Sequence, residues 1–139
     1  MSVEAPKIDV GIWVAAANYS NTASLAGPSG SGQFLAVAPT AGTAMSVTLA
    51  SVAGQAIAGI LQNKPTAGQA ADVAIFGISK AVVAAAGSTA GSPQMVTATG
   101  AFTDWTSTGN KRQIGYALET GTTGQVISLL LMSPGNTVA

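Results

Sequence analysis

Glycine interrupts this chain at short intervals from its middle onward, and this spacing limits the folds that the chain can adopt. The glycines concerned are Gly54, Gly59, Gly68, Gly77, Gly87, Gly91, Gly100 and Gly109. Each glycine in a helix interior costs about 1 kcal/mol relative to alanine. Although alanine is abundant and favours helix locally, glycines this frequent prevent a long helix from forming. We therefore expect strands, with at most one short helix.

Apolar residues between the glycines recur with the period of a β-strand. Met45, Val47 and Leu49 alternate with small or polar neighbours, and residues 73–78 continue the alternation. Residues 126–132 are almost entirely apolar, which predicts a strand buried on both faces. Val, Ile and Thr dominate these runs, while Gly, Pro, Ser and Asn separate them. The predicted fold class is all-β, as a small β-barrel or β-sandwich.

The first 43 residues differ from the rest in composition. Short apolar pieces at 8–16 and 34–37 are separated by loops rich in Asn, Ser, Gly and Pro, which is typical of turns and flexible segments. We predict an extended N-terminal arm with the first strand or strands at 1–43, followed by a β-barrel core domain at 44–139. The alternative is that residues 8–16 are the first strand of the barrel itself. The candidate interface residues of this region are Trp13, Tyr19 and Phe34.

Side chains that carry chemistry are scarce. Histidine and cysteine are absent, and the chain has five acidic and five basic residues. Proton transfer, metal binding and nucleophilic catalysis draw mainly on these residue types. The acidic residues, which stand singly outside the N-terminus, are Glu4, Asp9, Asp72, Asp104 and Glu119. We expect no enzyme activity, no catalytic residue, no metal site and no cofactor.

The low charge also limits the partners. The formal net charge is zero at pH 7, and 7% of the residues are charged, against about 25% in an average soluble domain. A neutral chain is not attracted to a phosphate backbone or an anionic membrane, so we expect neither nucleic acid nor a membrane as partner. A weakly charged surface associates readily, because little repulsion opposes contact. Two interpretations stay open: an ordinary low-charge secreted domain, or a surface that is largely covered by partners in an assembly.

The most apolar stretch, residues 70–87, resembles a membrane span at first sight. It contains Asp72 and Lys80, and each charge is costly in hydrocarbon. We interpret the stretch as two core strands instead. The absence of cysteine excludes a disulfide framework and is compatible with a reducing cytoplasm. The N-terminus lacks the basic and apolar regions of a signal peptide.

Trp105 lies with Phe102 and Asp104 in a region between two predicted strands. A tryptophan there either plugs the end of the barrel or anchors an interface, since aromatic residues concentrate at the centre of protein contacts. Lys111 and Arg112 form the one basic pair of the sequence. We interpret this pair as a solvated turn or as one half of an ion pair between subunits. Trp105, Lys111 and Arg112 complete the set of candidate interface residues.

An ordered series of short motifs runs from residue 56 to residue 132. The motifs are Gly59-Ile60-Leu61-Gln62-Asn63, Ala67-Gly68, Gly77-Ile78-Ser79-Lys80, Ala90-Gly91-Ser92 and Ile114-Gly115-Tyr116-Ala117-Leu118-Glu119. In this order the set resembles the small capsid decoration, or cement, proteins of tailed bacteriophages. The resemblance covers a little over half of the chain. Gln69 and Ser92 stand where that family usually has acidic residues.

The resemblance implies a compact β-barrel or β-sandwich, jelly-roll-like or tulip-like, and it does not cover the N-terminal third, where composition predicts the extended arm. It implies a homotrimer on the outer surface of an icosahedral head, with the major capsid protein as partner. The protein would be made in the cytoplasm of the host bacterium and would end in the virion. Its function would be mechanical, because cement proteins bridge neighbouring capsid subunits against the pressure of packaged DNA.

Two alternatives to a cement protein follow from the same sequence. One is an adhesive or host-recognition β-domain on the virion surface that binds glycans through Asp104, Trp105 and Asn110. Sugar sites stack on exposed aromatic rings beside polar side chains, so exposure of Trp105 would favour it. The other is a tail-tube or head-completion protein. The oligomeric state separates the second alternative, because tubes favour hexameric rings.

Overall fold

The computed structural model describes residues 7–22 and 24–137, and it is all-β, which confirms the predicted fold class. A 3₁₀ turn at Pro28–Gly30 is the helical structure in this part of the chain. The strands, in chain order, are β1 (Lys7–Ala15), β2 (Ala36–Pro39), β3 (Ser46–Leu49), β4 (Gly59–Leu61), β5 (Ala70–Val82), β6 (Pro93–Val96), β7 (Phe102–Asp104), β8 (Arg112–Ala117) and β9 (Val126–Thr137).

Five strands close into a barrel. β1 pairs in parallel with β3, and the other pairs of the ring are antiparallel: β3 with β2, β2 with β4, β4 with β5, and β5 with β1. Closure pairs strand edges that an open sheet would expose to other chains. Both β1 and β2 precede residue 44, so the N-terminal segment supplies two strands of the ring. Residues 8–16 therefore fit the alternative prediction, that of a first barrel strand.

Four further strands extend the sheet from β5, in the order β9, β8, β6 and β7. β5 belongs to both parts because it is 13 residues long. Gly77, near its middle, lies opposite Lys7 of β1 and also opposite Leu131 of β9. The φ angle of Gly77 is +99°, a conformation that residues with a Cβ atom rarely adopt. Glycine at this position allows one strand to pass from the barrel into the extension.

Two hydrophobic cores lie on opposite faces of β2 and β4. Val37 and Leu61 pack in the barrel interior, whereas their neighbours Ala36 and Ile60 pack in a second core between barrel and extension. The barrel core consists of Ala15, Tyr19, Val37, Val47, Leu61, Ala71 and Val73. The second core consists of Ala36, Ala50, Ile57, Ile60, Ala81, Val96, Phe102, Ile114, Leu129 and Leu131. Burial on both faces explains why β2 and β4 are apolar without alternation.

Two expectations about the apolar stretches are wrong in detail. Residues 70–87 contain one long strand that ends at Val82, not two core strands. No helix in the described ranges is long and apolar enough to cross a membrane. In β9, Ile127, Leu129 and Leu131 are buried, but Val126 is 39% exposed, so 126–132 is not buried on both faces. Within 126–132, the other face of the strand lies toward solvent, with Met132 44% exposed.

Candidate interaction surfaces

Trp13 and Tyr19, selected as interface residues from the sequence, pack against the barrel core. Tyr19 is buried; its hydroxyl donates to Oγ1 of Thr48 at 3.3 Å and accepts from the backbone N–H of Leu49 at 3.4 Å. Trp13 is half-buried, and its Nε1 is buried without a hydrogen-bond partner among the described residues. Both side chains therefore stabilise the barrel. A role for either in an interface stays a prediction.

Phe34, the third candidate of the N-terminal segment, lies just before β2. Its φ angle is +66°, a left-handed conformation that costs an L-residue roughly 1–2 kcal/mol. Two backbone hydrogen bonds hold it there: its N–H donates to the carbonyl of Leu61 at 2.7 Å, and its carbonyl accepts from Val82 at 3.1 Å. The half-buried ring packs on a small cluster that includes Leu35 and Ala101. Phe34 therefore joins β4 to the end of β5.

The other three candidates come together around the loop between β7 and β8. Nε1 of Trp105 donates to the carbonyl of Lys111 at 3.0 Å, which closes the loop. Nζ of Lys111 donates to Oγ1 of Thr106 at 3.1 Å, and its stem lies against Gly54. Arg112 begins β8, and its N–H donates to the carbonyl of Gly54 at 2.9 Å. Trp105 is half-buried, so this loop is a compact, partly exposed cluster.

Asp104, next to that loop, accepts hydrogen bonds from residues of two other segments of the chain. Its Oδ1 accepts from the N–H of Thr89 at 2.8 Å and from Nε2 of Gln94 at 2.7 Å, while Oδ2 accepts from Oγ1 of Thr89 at 2.8 Å. Oε1 of the buried Gln94 accepts from Ser88 at 2.7 Å. Burial acts to raise the pKa of Asp104, but these hydrogen bonds prevail and hold the pKa below its ordinary value. The carboxylate proposed for glycan binding is thus already bonded within the chain.

A further surface, not among the residues selected from the sequence, lies on the solvent side of β5, β9 and β8. Strand pairing places Ile78 opposite Leu130 and Leu130 opposite Tyr116, so the three side chains form a row on one face. Strand alternation brings three more apolar side chains to the same side. We call this surface the outer sheet face; its residues are Phe76, Ile78, Tyr116, Leu118, Leu130 and Met132.

Four of the six side chains of the outer sheet face are exposed to solvent, and the other two, Ile78 and Leu130, are half-buried. Phe76 is 54% exposed, Leu118 and Met132 are 44% exposed, and Tyr116 is 39% exposed. Ile8 of β1, 55% exposed, pairs with Phe76 and continues the patch. An antiparallel sheet with one face in water ordinarily alternates apolar and polar residues, with the polar ones outside. This sheet departs from that rule on its exposed side.

Charged groups stand at one end of the outer sheet face. Lys80 of β5 lies opposite Ser128 of β9 and is exposed. Oε2 of Glu119, which follows β8, accepts a hydrogen bond from the N–H of Ser128 at 2.6 Å. This hydrogen bond, with a smaller contribution from the positive charge of Lys80, lowers the pKa of Glu119. The apolar patch is thus bordered by one positive and one negative group.

The sequence contains only a weak signal for this face. Tyr116 of β8 and Leu118, directly after that strand, flank the buried Ala117 with a period of two, which places both on one side of the sheet. Periodicity alone does not tell an apolar face that meets a core from one that meets solvent.

Within residues 7–22 and 24–137, no group of three or more His, Cys, Asp or Glu is placed to bind a metal ion.

The fold and these surfaces define an all-β protein with a closed five-stranded barrel and a sheet extension. No family model matches the chain, and no curated protein matches it. Among solved structures, the chain is similar to the N base of the head fiber gp8.5 of bacteriophage phi29. The TM-score is 0.63 at 13% sequence identity, and the match covers 94% of this chain and 98% of that chain. At this identity the similarity shows a shared fold.

Proposed function

We propose that this chain is a structural protein of a bacteriophage virion that binds the outer surface of an icosahedral head. The observation that carries the proposal is the structural similarity to the base of the phi29 head fiber, which extends over 94% of this chain and 98% of that one. The match therefore extends over the whole fold and not over a substructure alone. The motifs of residues 56–132, which resemble cement proteins, support the same location on different grounds.

The specific role that we propose is decoration: the protein binds the major capsid protein and stabilises contacts between neighbouring capsid subunits. Such a protein acts by contact, without enzyme activity or cofactor. Burial of about 1,000 Å² at roughly 25 cal/mol per Å² gives a gross term on the order of 25 kcal/mol, most of it offset by the cost of association. A small net gain at each contact, repeated over the symmetric copies of a shell, reinforces the whole shell.

The low charge of the chain supports this role. With 7% charged residues and zero net charge, its contacts depend mainly on apolar and neutral polar groups. Exposed ion pairs weaken as salt screens them, whereas apolar contacts do not depend on charge. We therefore propose that binding to the head persists at high ionic strength. We also propose a homotrimer, with a mass near three times 13.5 kDa.

The test is co-sedimentation of the purified protein with empty heads assembled from the major capsid protein of the same genome. We expect saturable binding and a higher temperature of head disruption, while heads of an unrelated phage serve as control. Failure to bind the cognate heads would contradict a place on the head surface. Binding without any rise in the disruption temperature would contradict decoration and favour a base that carries a fiber.

A further inference from the structure

The outer sheet face carries apolar side chains where an exposed sheet ordinarily carries polar ones. Cross-strand pairing makes it continuous, because Ile78, Leu130 and Tyr116 form one row with apolar neighbours on either side. A continuous exposed apolar patch marks an interaction site, whereas single exposed apolar residues are normal on any surface. We infer that this face is buried by further copies of the same chain and is the surface through which the protein assembles with itself.

The charges at the border favour a copy of the chain as the occupant. Where the same face of each copy meets at a symmetry axis, like surfaces come together, so a face with charges of one sign repels itself. Lys80 and Glu119 have opposite signs, and Lys80 of one copy can therefore approach Glu119 of the next. The chain as a whole has zero net charge, so no long-range repulsion opposes self-association.

The area of the face is sufficient for such a contact. The exposed fractions of Ile8, Phe76, Tyr116, Leu118 and Met132 together amount to more than two whole side chains. With roughly 200 Å² for a large side chain, each copy presents on the order of 500 Å² of apolar surface. A stable interface buries about 800 Å² on each partner, including a polar rim. The outer sheet face supplies the apolar centre of an interface of that size.

This inference deepens the proposed function, on which it rests for its biological setting: it assigns the surface through which copies of a head-surface protein associate. The capsid contact then falls on other surfaces of the protein. Occupation of the outer sheet face by the capsid protein is the competing outcome, and measurements of mass and of head binding separate the two.

The first experiment measures the mass of the full-length chain by light scattering behind size exclusion, over a range of concentrations. We expect a multiple of 13.5 kDa for the wild type and a mass near 13.5 kDa for the double variant Phe76→Thr, Leu118→Thr. Threonine retains a high strand propensity at Phe76, which lies in β5, and Leu118 lies just after β8. Both side chains are exposed, so the variant keeps the fold, and thermal unfolding verifies this. The control Val52→Thr replaces a side chain that is 61% exposed outside the face, and it keeps the wild-type mass.

A charge variant tests the arrangement at the border. Lys80→Glu gives each face two negative groups, so copies repel one another at low salt and regain their association as salt screens the charges. We expect a loss of at least tenfold in association constant at low ionic strength, recovered at high ionic strength. Association that is indifferent to Lys80→Glu would place these groups away from the contact and contradict the proposed pairing.

A wild type that is monomeric at every concentration, or a double variant of unchanged mass, would overturn the inference. Co-sedimentation with heads then separates it from the proposed function. If the wild type assembles but does not bind heads, the proposed function is wrong, while the assignment of the outer sheet face to self-assembly stands. A monomeric wild type whose Phe76→Thr, Leu118→Thr variant binds heads less tightly assigns the face to the capsid protein and refutes self-assembly.

Discussion

Gln94 donates a hydrogen bond of 2.7 Å from Nε2 to Oδ1 of Asp104, and this contact ties β6 to β7 from within the protein. Gln94 is completely buried, and a buried amide requires partners for its polar atoms. The same carboxylate accepts two hydrogen bonds from Thr89, in the loop that follows β5. One acidic side chain therefore joins three segments of the chain.

Asp104→Ala is expected to destabilise the fold by about 1–3 kcal/mol, because Nε2 of the buried Gln94 loses its charged acceptor. Thr89 is exposed, so water replaces the carboxylate as its partner. Chemical denaturation measures the change. Asp72→Ala is a matched control, since the backbone N–H of Asp72 keeps its hydrogen bond to Asn63. Equal losses of unfolding free energy for the two variants would show that the hydrogen bonds of Asp104 contribute no more stability than those of an ordinary surface acid.

The stability of the protein is expected to fall in acid, in part through Asp104. Burial opposes ionisation of this group, but its hydrogen bonds hold the pKa below the ordinary value of 3.8. A lowered pKa contributes stability above the unfolded-state value, and that stability is lost as the pH falls through the folded-state value. Unfolding free energies between about pH 5 and pH 2 should therefore decline more steeply for wild type than for Asp104→Asn. Parallel declines would assign the acid sensitivity to other groups such as Glu119.

Gly77→Ala is expected to cost about 1–3 kcal/mol, because the φ angle of +99° is strained for any residue with a Cβ atom. Gly42→Ala is the control: Gly42 also has a positive φ, of +74°, but lies in a turn where an added methyl group would meet no atom within 4 Å. The thermal unfolding midpoint should drop further for Gly77→Ala. A smaller drop than that of Gly42→Ala would show that β5 relaxes easily at its passage from barrel to extension.

Trp13→Phe is expected to change the free energy of unfolding by less than about 1 kcal/mol. The smaller ring loses packing in the barrel, but the change also removes an N–H that is buried without a partner among the described residues. Such an unpaired donor costs about 1–3 kcal/mol, which offsets the lost packing. Denaturant titration measures the change, and a loss above about 3 kcal/mol would indicate that Nε1 is hydrogen-bonded in solution.

Removal of residues 1–16 is expected to abolish cooperative unfolding, because β1 pairs with β3 on one side and β5 on the other. Without β1 the barrel is open, and the apolar interior that includes Val47 and Val73 meets water. Far-UV circular dichroism during heating measures this. A truncated chain with the midpoint of the full chain would restore the prediction of an N-terminal arm separate from the barrel.

The strand content can be predicted from the sequence, since the glycine spacing and the alternation at Met45, Val47 and Leu49 are local properties. The closure of the barrel was not, because β1 meets β3 and β5 through contacts between residues more than thirty positions apart. The contacts of the candidate interface residues likewise cannot be predicted from the sequence. Trp105 and Lys111 are close in sequence and share a loop, but only the folded chain shows that the indole N–H of Trp105 bonds to the carbonyl of Lys111.

The amino-acid sequence is enough to predict the class of fold and the low density of reactive groups, because both depend on which residues are present and on their local periods. Which apolar surfaces are covered depends on the folded chain. Ile127 and Leu130 are both large and apolar on β9, yet one is buried and the other belongs to the outer sheet face. Hydrophobicity is a property of a side chain, whereas burial is a property of what packs against it.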